Sequence, residues 1–357
     1  MQRAICFWVI FLCAIATPIA HASIGLVVGE PFGSFGTMLP AGHAGIYLDH
    51  LCADGPTHLR YCRPGENGVV ISRYHDLKVT QTDWMAVPTT RFFYGVDDPA
   101  DTPAFVTAEQ ESDLREQYRR ANLAGVVPSR TDKSGNITPP PYGDWAESIG
   151  AAFDRRLLLY VIDTTPEQDE HILQLLNDRP NIRRYTLGRA NCADFATDIL
   201  NIVVPGQFHR SRFVDLDLSS PKNLARQLDT YGHQHPELNL HAYEIPQIPG
   251  TLRRSRPLRG GAETFIKTKR YLATLIVIQP EFILPDWIVY ESKGKWTPGR
   301  DAERVSPTSF DAQVARTNIS ITNSTQLSSA LGSPASEPSS SAVDLPSALS
   351  PSASMLP

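Results

Sequence analysis

Asn191-Cys192-Ala193-Asp194-Phe195 is the stretch on which the reading of the fold turns. Gly188 breaks the strand before it, and Asn191 is a strong N-cap. Phe195, Ala196, Ile199 and Val203 then continue a helical apolar stripe that includes Cys192. The pattern predicts a helix starting at Cys192 and packed on a core, with the thiol in its first turn. The helix dipole there favours the thiolate, which is the reactive form, and Asp194 opposes it weakly. Taken alone, a cysteine on an apolar helical face reads as packing rather than chemistry.

Chemistry needs a base, and the chain offers one far upstream. Gly42-His43-Ala44-Gly45-Ile46-Tyr47-Leu48 reads as a short strand opening on a histidine between small residues. By alternation His43 shares a face with Gly45 and Tyr47, opposite Ala44, Ile46 and Leu48. Small neighbours leave room for a substrate or a helix end beside the imidazole. His58, expected on the next strand, is a candidate to orient His43, and Glu66 or Asp49 could do the same.

The cysteines bear on the same question. Cys6 and Cys13 lie in an N-terminal apolar stretch, leaving Cys52, Cys62 and Cys192. Cys52 and Cys62 flank the turn-like Ala53-Asp54-Gly55-Pro56, where neighbouring strands could join them in a disulfide. On that pairing Cys192 is the free thiol, although sequence alone does not fix connectivity.

Outward from these motifs, Gly68–Tyr74 reads as a strand, and the apolar run Leu157–Ile162 reads as a central one. Thr107 with Gln110, and Thr165 with Gln168, are capping boxes that open two helices. Pro88–Pro103 and Ser129–Tyr142 read as surface connections. The fold class expected is α+β, a small antiparallel sheet packed on the helix that bears the cysteine.

The two motifs together resemble the permuted branch of the NlpC-type papain-like superfamily, which includes lecithin retinol acyltransferase-like enzymes and bacterial periplasmic relatives. The resemblance rests on His43-x-Gly-Ile-Tyr-Leu followed about 150 residues later by Asn191-Cys192-x-x-Phe at a helix start, and covers roughly residues 40–205. It implies Cys192 as nucleophile, His43 as base and His58 as the polar third member. The implied reaction is cleavage of an amide or ester acyl bond, on cell-wall peptides first and lipids second. The rival reading is a non-catalytic binding or scaffold module of the cell envelope that keeps the fold without turnover.

The chain ends frame the rest. Arg3, the apolar Cys6–Thr17 and Ala20-His21-Ala22 have the three parts of a signal peptide, so residues 1–22 are excluded from the fold and the protein is expected to be periplasmic or secreted. The expected organisation is then a domain over 23–206, an extension over 207–300 and a disordered Ser/Pro-rich tail over 301–357. Asn318 and Asn323 carry glycosylation sequons in that tail. A net charge of −5 leaves no footprint for nucleic acid. His233, His235 and His241 lack an acid at ligand spacing, so no metal or cofactor is expected. Tyr271–Tyr290 is long enough to span a bilayer, but Glu281 and Asp286 outweigh its apolar residues on an insertion scale. Two short buried strands are expected there, and membrane association through 271–290 is not favoured.

Overall fold

The computed structural model describes residues 22–310, apart from 34–35, 37–39, 74–81, 141–144, 183, 187, 212–214, 216, 279–280 and 282. Residues 1–21 and 311–357, with most of the expected signal peptide and the two sequons, lie outside the described residues.

The sheet is larger than the small one expected. It has seven strands, and its order is set by chain reversal around two long buried strands. β1 (Ala22–Gly29) pairs antiparallel with β2 (His43–Leu48), matching Val28 to Ala44 and Gly29 to His43. β3 (Leu51–Ala53) and β4 (Leu59–Tyr61) make a separate hairpin, after which β5 (Val69–Ser72) and β6 (Met85–Pro88) extend the sheet beyond β2. A two-residue ribbon, β7 (Arg130–Thr131) with β8 (Ile137–Thr138), stands apart inside the stretch expected to be a plain loop. β9 (Leu157–Thr164) lies on the other side of β1, as its continuous apolar run requires. It is followed outward by antiparallel β10 (His241–Ile245) and by β11 (Glu303–Arg304), which runs parallel to β10.

Alternation along these strands makes two cores. On one face Ile24, Leu26, Val28, Ala44, Ile46, Leu48, Leu158 and Tyr160 are buried. They pack against α4 (Pro166–Asp178), α5 (Cys192–Val203) and α6 (Pro221–Gln234). On the other face Val27, Tyr47, Val70, Leu157, Leu159 and Val161 meet α1 (Thr89–Tyr94), α3 (Ala151–Asp154) and Tyr118 of α2 (Ala108–Tyr118). Each fully buried Leu, Ile or Val contributes roughly 1.5–3 kcal/mol, so both layers are needed to hold the sheet.

Both predicted threonine capping boxes form, at Thr107 and Thr165. Pro88–Pro103 is not a plain surface connection, because Phe92, Phe93 and Tyr94 of α1 are buried. A single helical turn of aromatic residues hid between proline and aspartate punctuation. Order also extends past residue 301: β11 joins the sheet, and Phe310 is buried edge-on against Phe93, with ring centroids 5.2 Å apart. The run expected as two buried strands is instead helical. After α7 (Gly261–Lys267) come α8 (Lys269–Ile278) and α9 (Ile283–Val289). An apolar run without alternation fits a helix as well as a buried strand. No helix among the described residues is long and apolar enough to cross a membrane.

Candidate active site

Asn191 builds the helix start that holds the thiol. Its side-chain oxygen accepts from the N–H groups of Ala193 (2.8 Å) and Asp194 (3.0 Å), and the Asp194 carboxylate accepts from the Asn191 N–H at 3.0 Å. This is the capped first turn that the sequence predicts. Residues beyond 206 lock it further. The Asn191 side-chain amide donates to the Ser219 carbonyl at 3.0 Å, Arg210 pairs with Asp194 at 2.8 Å, and the Ser219 hydroxyl donates to Asp194.

Cys192 follows, buried against Ala44 and Ile46 of β2. Backbone N–H groups of Ala44, Ala193 and Cys192 itself favour the thiolate, although that of Ala193 is already donated to Asn191. Burial nevertheless dominates and pushes the thiol pKa up to about 11, with Asp194 adding in the same direction. The helix dipole and three donors therefore do not arm the thiol at rest, contrary to the sequence expectation. Cys192 is the free cysteine among the described residues, since Cys52 and Cys62 form the disulfide that ties β3 to β4.

His43 is adjacent to Ala44 in the chain but turns the other way. Its ring lines a cavity of about 10 Å³ with Val27, Phe92, Ala151, Arg155 and Leu157, on the face opposite Cys192. That space holds no more than a single water. Burial first, and then the Arg155 guanidinium, lower the His43 pKa well below the ordinary histidine value, which keeps the imidazole neutral. The strand parity was readable from the sequence. Which face would receive the helix was not, and Ala44, Ile46 and Leu48 offer the apolar match for its stripe. The structure thus brings the backbone of β2 to the thiol without bringing the imidazole to it.

The candidates for a third member lie elsewhere. β2 runs about 16 Å from His43 to Leu48 at roughly 3.3 Å per residue. The hairpin that carries His58 begins beyond that far end, and His58 is exposed there. Asp49 accepts from the N–H and hydroxyl of Ser23, at 2.7 and 2.8 Å. Glu66 is held by Arg60, which keeps its carboxyl down near about 2. None of the three is brought to His43. The Ala44 N–H at the sulfur escaped the sequence reading, because backbone donors leave no side-chain signal. The Arg210–Asp194 pair joins residues on either side of the expected 206/207 boundary, where nothing local announces a partner.

At the start of β2 the chain path is forced by Gly42. It has φ +75°, and a Cβ there would sit 2.3 Å from the Gly29 carbonyl oxygen. Leu258 closes on the same turn, and the Arg259 N–H donates to the Pro40 carbonyl at 2.9 Å. No metal-capable cluster forms at Cys192 among the described residues. The one group of potential ligands, Cys52, Cys62 and Glu66, contains the disulfide.

No family model matches the chain, and no curated protein matches it. Among solved structures it is similar to the crystal structure of a type VI secretion system effector, TseH, at 12% identity and a TM-score of 0.30. That alignment covers 64% of this chain and 94% of the other, a likeness too slight to bear on function.

Proposed function

We propose that the protein is an exported thiol hydrolase that cleaves an amide or ester acyl bond, with Cys192 as nucleophile, and that the structure is its resting state. The observation that carries this is a free thiol in the first turn of a capped helix, with the backbone N–H groups of Ala44 and Cys192 beside it. Such donors stabilise an oxyanion as readily as a thiolate. In the reaction the sulfur bonds to the acyl carbon while its proton passes to the leaving amine or alcohol. Water then adds to the thioester, returning the thiol and releasing the acid. His43, the base that the resemblance implies, takes the thiol proton only after the Gly29–His43 end of the β1–β2 pairing opens and the residue turns to the sulfur side. Cell-wall peptides are the leading substrate class and lipids the second, by the resemblance of the two motifs.

A second reading, a non-catalytic envelope module, is favoured by a specific observation: the His43 ring lies across the sheet from a protonated thiol. Turnover of p-nitrophenyl butyrate and of peptidoglycan stem peptides by the exported protein separates the two. The hydrolase reading expects activity on at least one substrate, lost in both Cys192→Ala and His43→Ala. Activity that survives Cys192→Ala, or none on either substrate, favours the module.

A further inference from the structure

α8 and α9 are built inside out for a water-exposed surface. Both pack against α7, yet each turns an apolar stripe outward. On α8 the stripe is Ala273, Ile276 and Val277, and on α9 it is Leu284, Trp287 and Ile288, each set at i, i+3, i+4 spacing. The five large side chains each expose more than half their surface, and Val277 exposes 81%. Exposed apolar groups concentrated in this way mark an interaction surface. We infer that this helix pair docks in the interface of an anionic phospholipid bilayer, lying on the membrane rather than crossing it.

Three features point to lipid rather than to protein. Residues 267–295 carry five basic against three acidic residues in a chain whose net charge is −5. Lys267 and Lys295 are paired with Glu263 and Glu291, so the charge that suits an anionic surface gathers at Lys269-Arg270. Lys269 is exposed at the foot of α8, where a lipid phosphate would meet it. Tyr271 and Tyr290 bracket the apolar run, with Trp287 near its end, and aromatic residues with a polar tip favour the headgroup level. The helices are too short and too interrupted to span, so binding is peripheral and salt-sensitive.

The test uses the exported protein and vesicles of phosphatidylglycerol with phosphatidylethanolamine, compared with phosphatidylcholine vesicles. Co-sedimentation should occur with the anionic vesicles and fall with added salt. The combined Val277→Ser, Leu284→Ser and Ile288→Ser variant should bind about tenfold more weakly, the scale of a loss of 1.4 kcal/mol. Because these side chains are already exposed, the variant should keep the wild-type circular dichroism. A blue shift of fluorescence on vesicle binding, absent in Trp287→Phe, would place that ring in the lipid. Three results would overturn the inference: no binding to anionic vesicles, equal binding by the triple variant, or a vesicle-free dimer that the triple substitution dissociates.

Discussion

At the scale of single residues, Cys192 shows how burial can outweigh local electrostatics. Helix start, cap and three N–H donors all favour the thiolate, and desolvation still raises the pKa to about 11. Alkylation by iodoacetamide should therefore follow a pH profile with its midpoint at about 11, well above that of a free cysteine near 8.5. The resting imidazole lies across the sheet, so His43→Ala should leave that profile unchanged even where it abolishes turnover. A downward shift of the wild-type midpoint toward neutrality would show a thiolate–imidazolium pair instead. The sequence made the thiol, its cap and the strand histidine legible, because each has a local signature. It left the facing of the imidazole and the donor from Ala44 unread, because both depend on which side of a sheet a distant helix lands. Asp169 gives a second pH test. Burial first raises its carboxyl pKa to about 6, with Asp49 adding to the rise, while the Thr164 hydroxyl donates to it at 2.8 Å. The folded value lies above the unfolded one, so the folded state holds the extra proton between them. Its contribution is present below about pH 4 and is lost as pH rises through 6. Relative to Asp169→Asn, wild-type unfolding free energy should fall by about 2 kcal/mol from pH 4 to pH 7, read by urea titration.

At the scale of elements, the β3–β4 hairpin is fastened in two ways. Cys52–Cys62 closes it, and the Asn177 side chain on α4 both accepts from the Leu59 N–H (2.9 Å) and donates to the Leu59 carbonyl (2.8 Å). The disulfide closes a short loop, so reduction or the Cys52→Ala, Cys62→Ala pair should cost no more than about 3 kcal/mol. The hairpin lies beyond the far end of β2 from the thiol. The double variant should accordingly leave the Cys192 alkylation rate unchanged, measured by mass spectrometry after a timed quench. A changed rate would mean that the hairpin reaches the site. Capping boxes made two helices legible to the residue, since their signals are local. α8 and α9 were misread as strands because a buried strand and an apolar helix share a composition.

Across the whole molecule, residues after 206 belong to the same sheet as those before it. β10 covers the outer edge of β9, Arg156 ties Glu30 to Glu244 at 2.6 and 2.8 Å, and Arg210 and Ser219 brace the helix start. A chain ending at residue 206 should therefore lose cooperative unfolding and become protease-sensitive, because Leu157–Val161 would offer an open apolar edge. A resistant, cooperatively melting 23–206 fragment would restore the boundary read from sequence. Strand pairings at long separation are what the sequence conceals, since β9 and β10 carry no mark of each other. The central claim remains that Cys192 is the nucleophile of acyl transfer. The most direct measurement is intact-mass and peptide mapping of the protein after a brief exposure to p-nitrophenyl acetate. The account predicts a single acetyl group on Cys192 that disappears with time as the thioester hydrolyses, and none in Cys192→Ala. An adduct on another residue, or an unmodified Cys192 in a protein that turns the ester over, would contradict it.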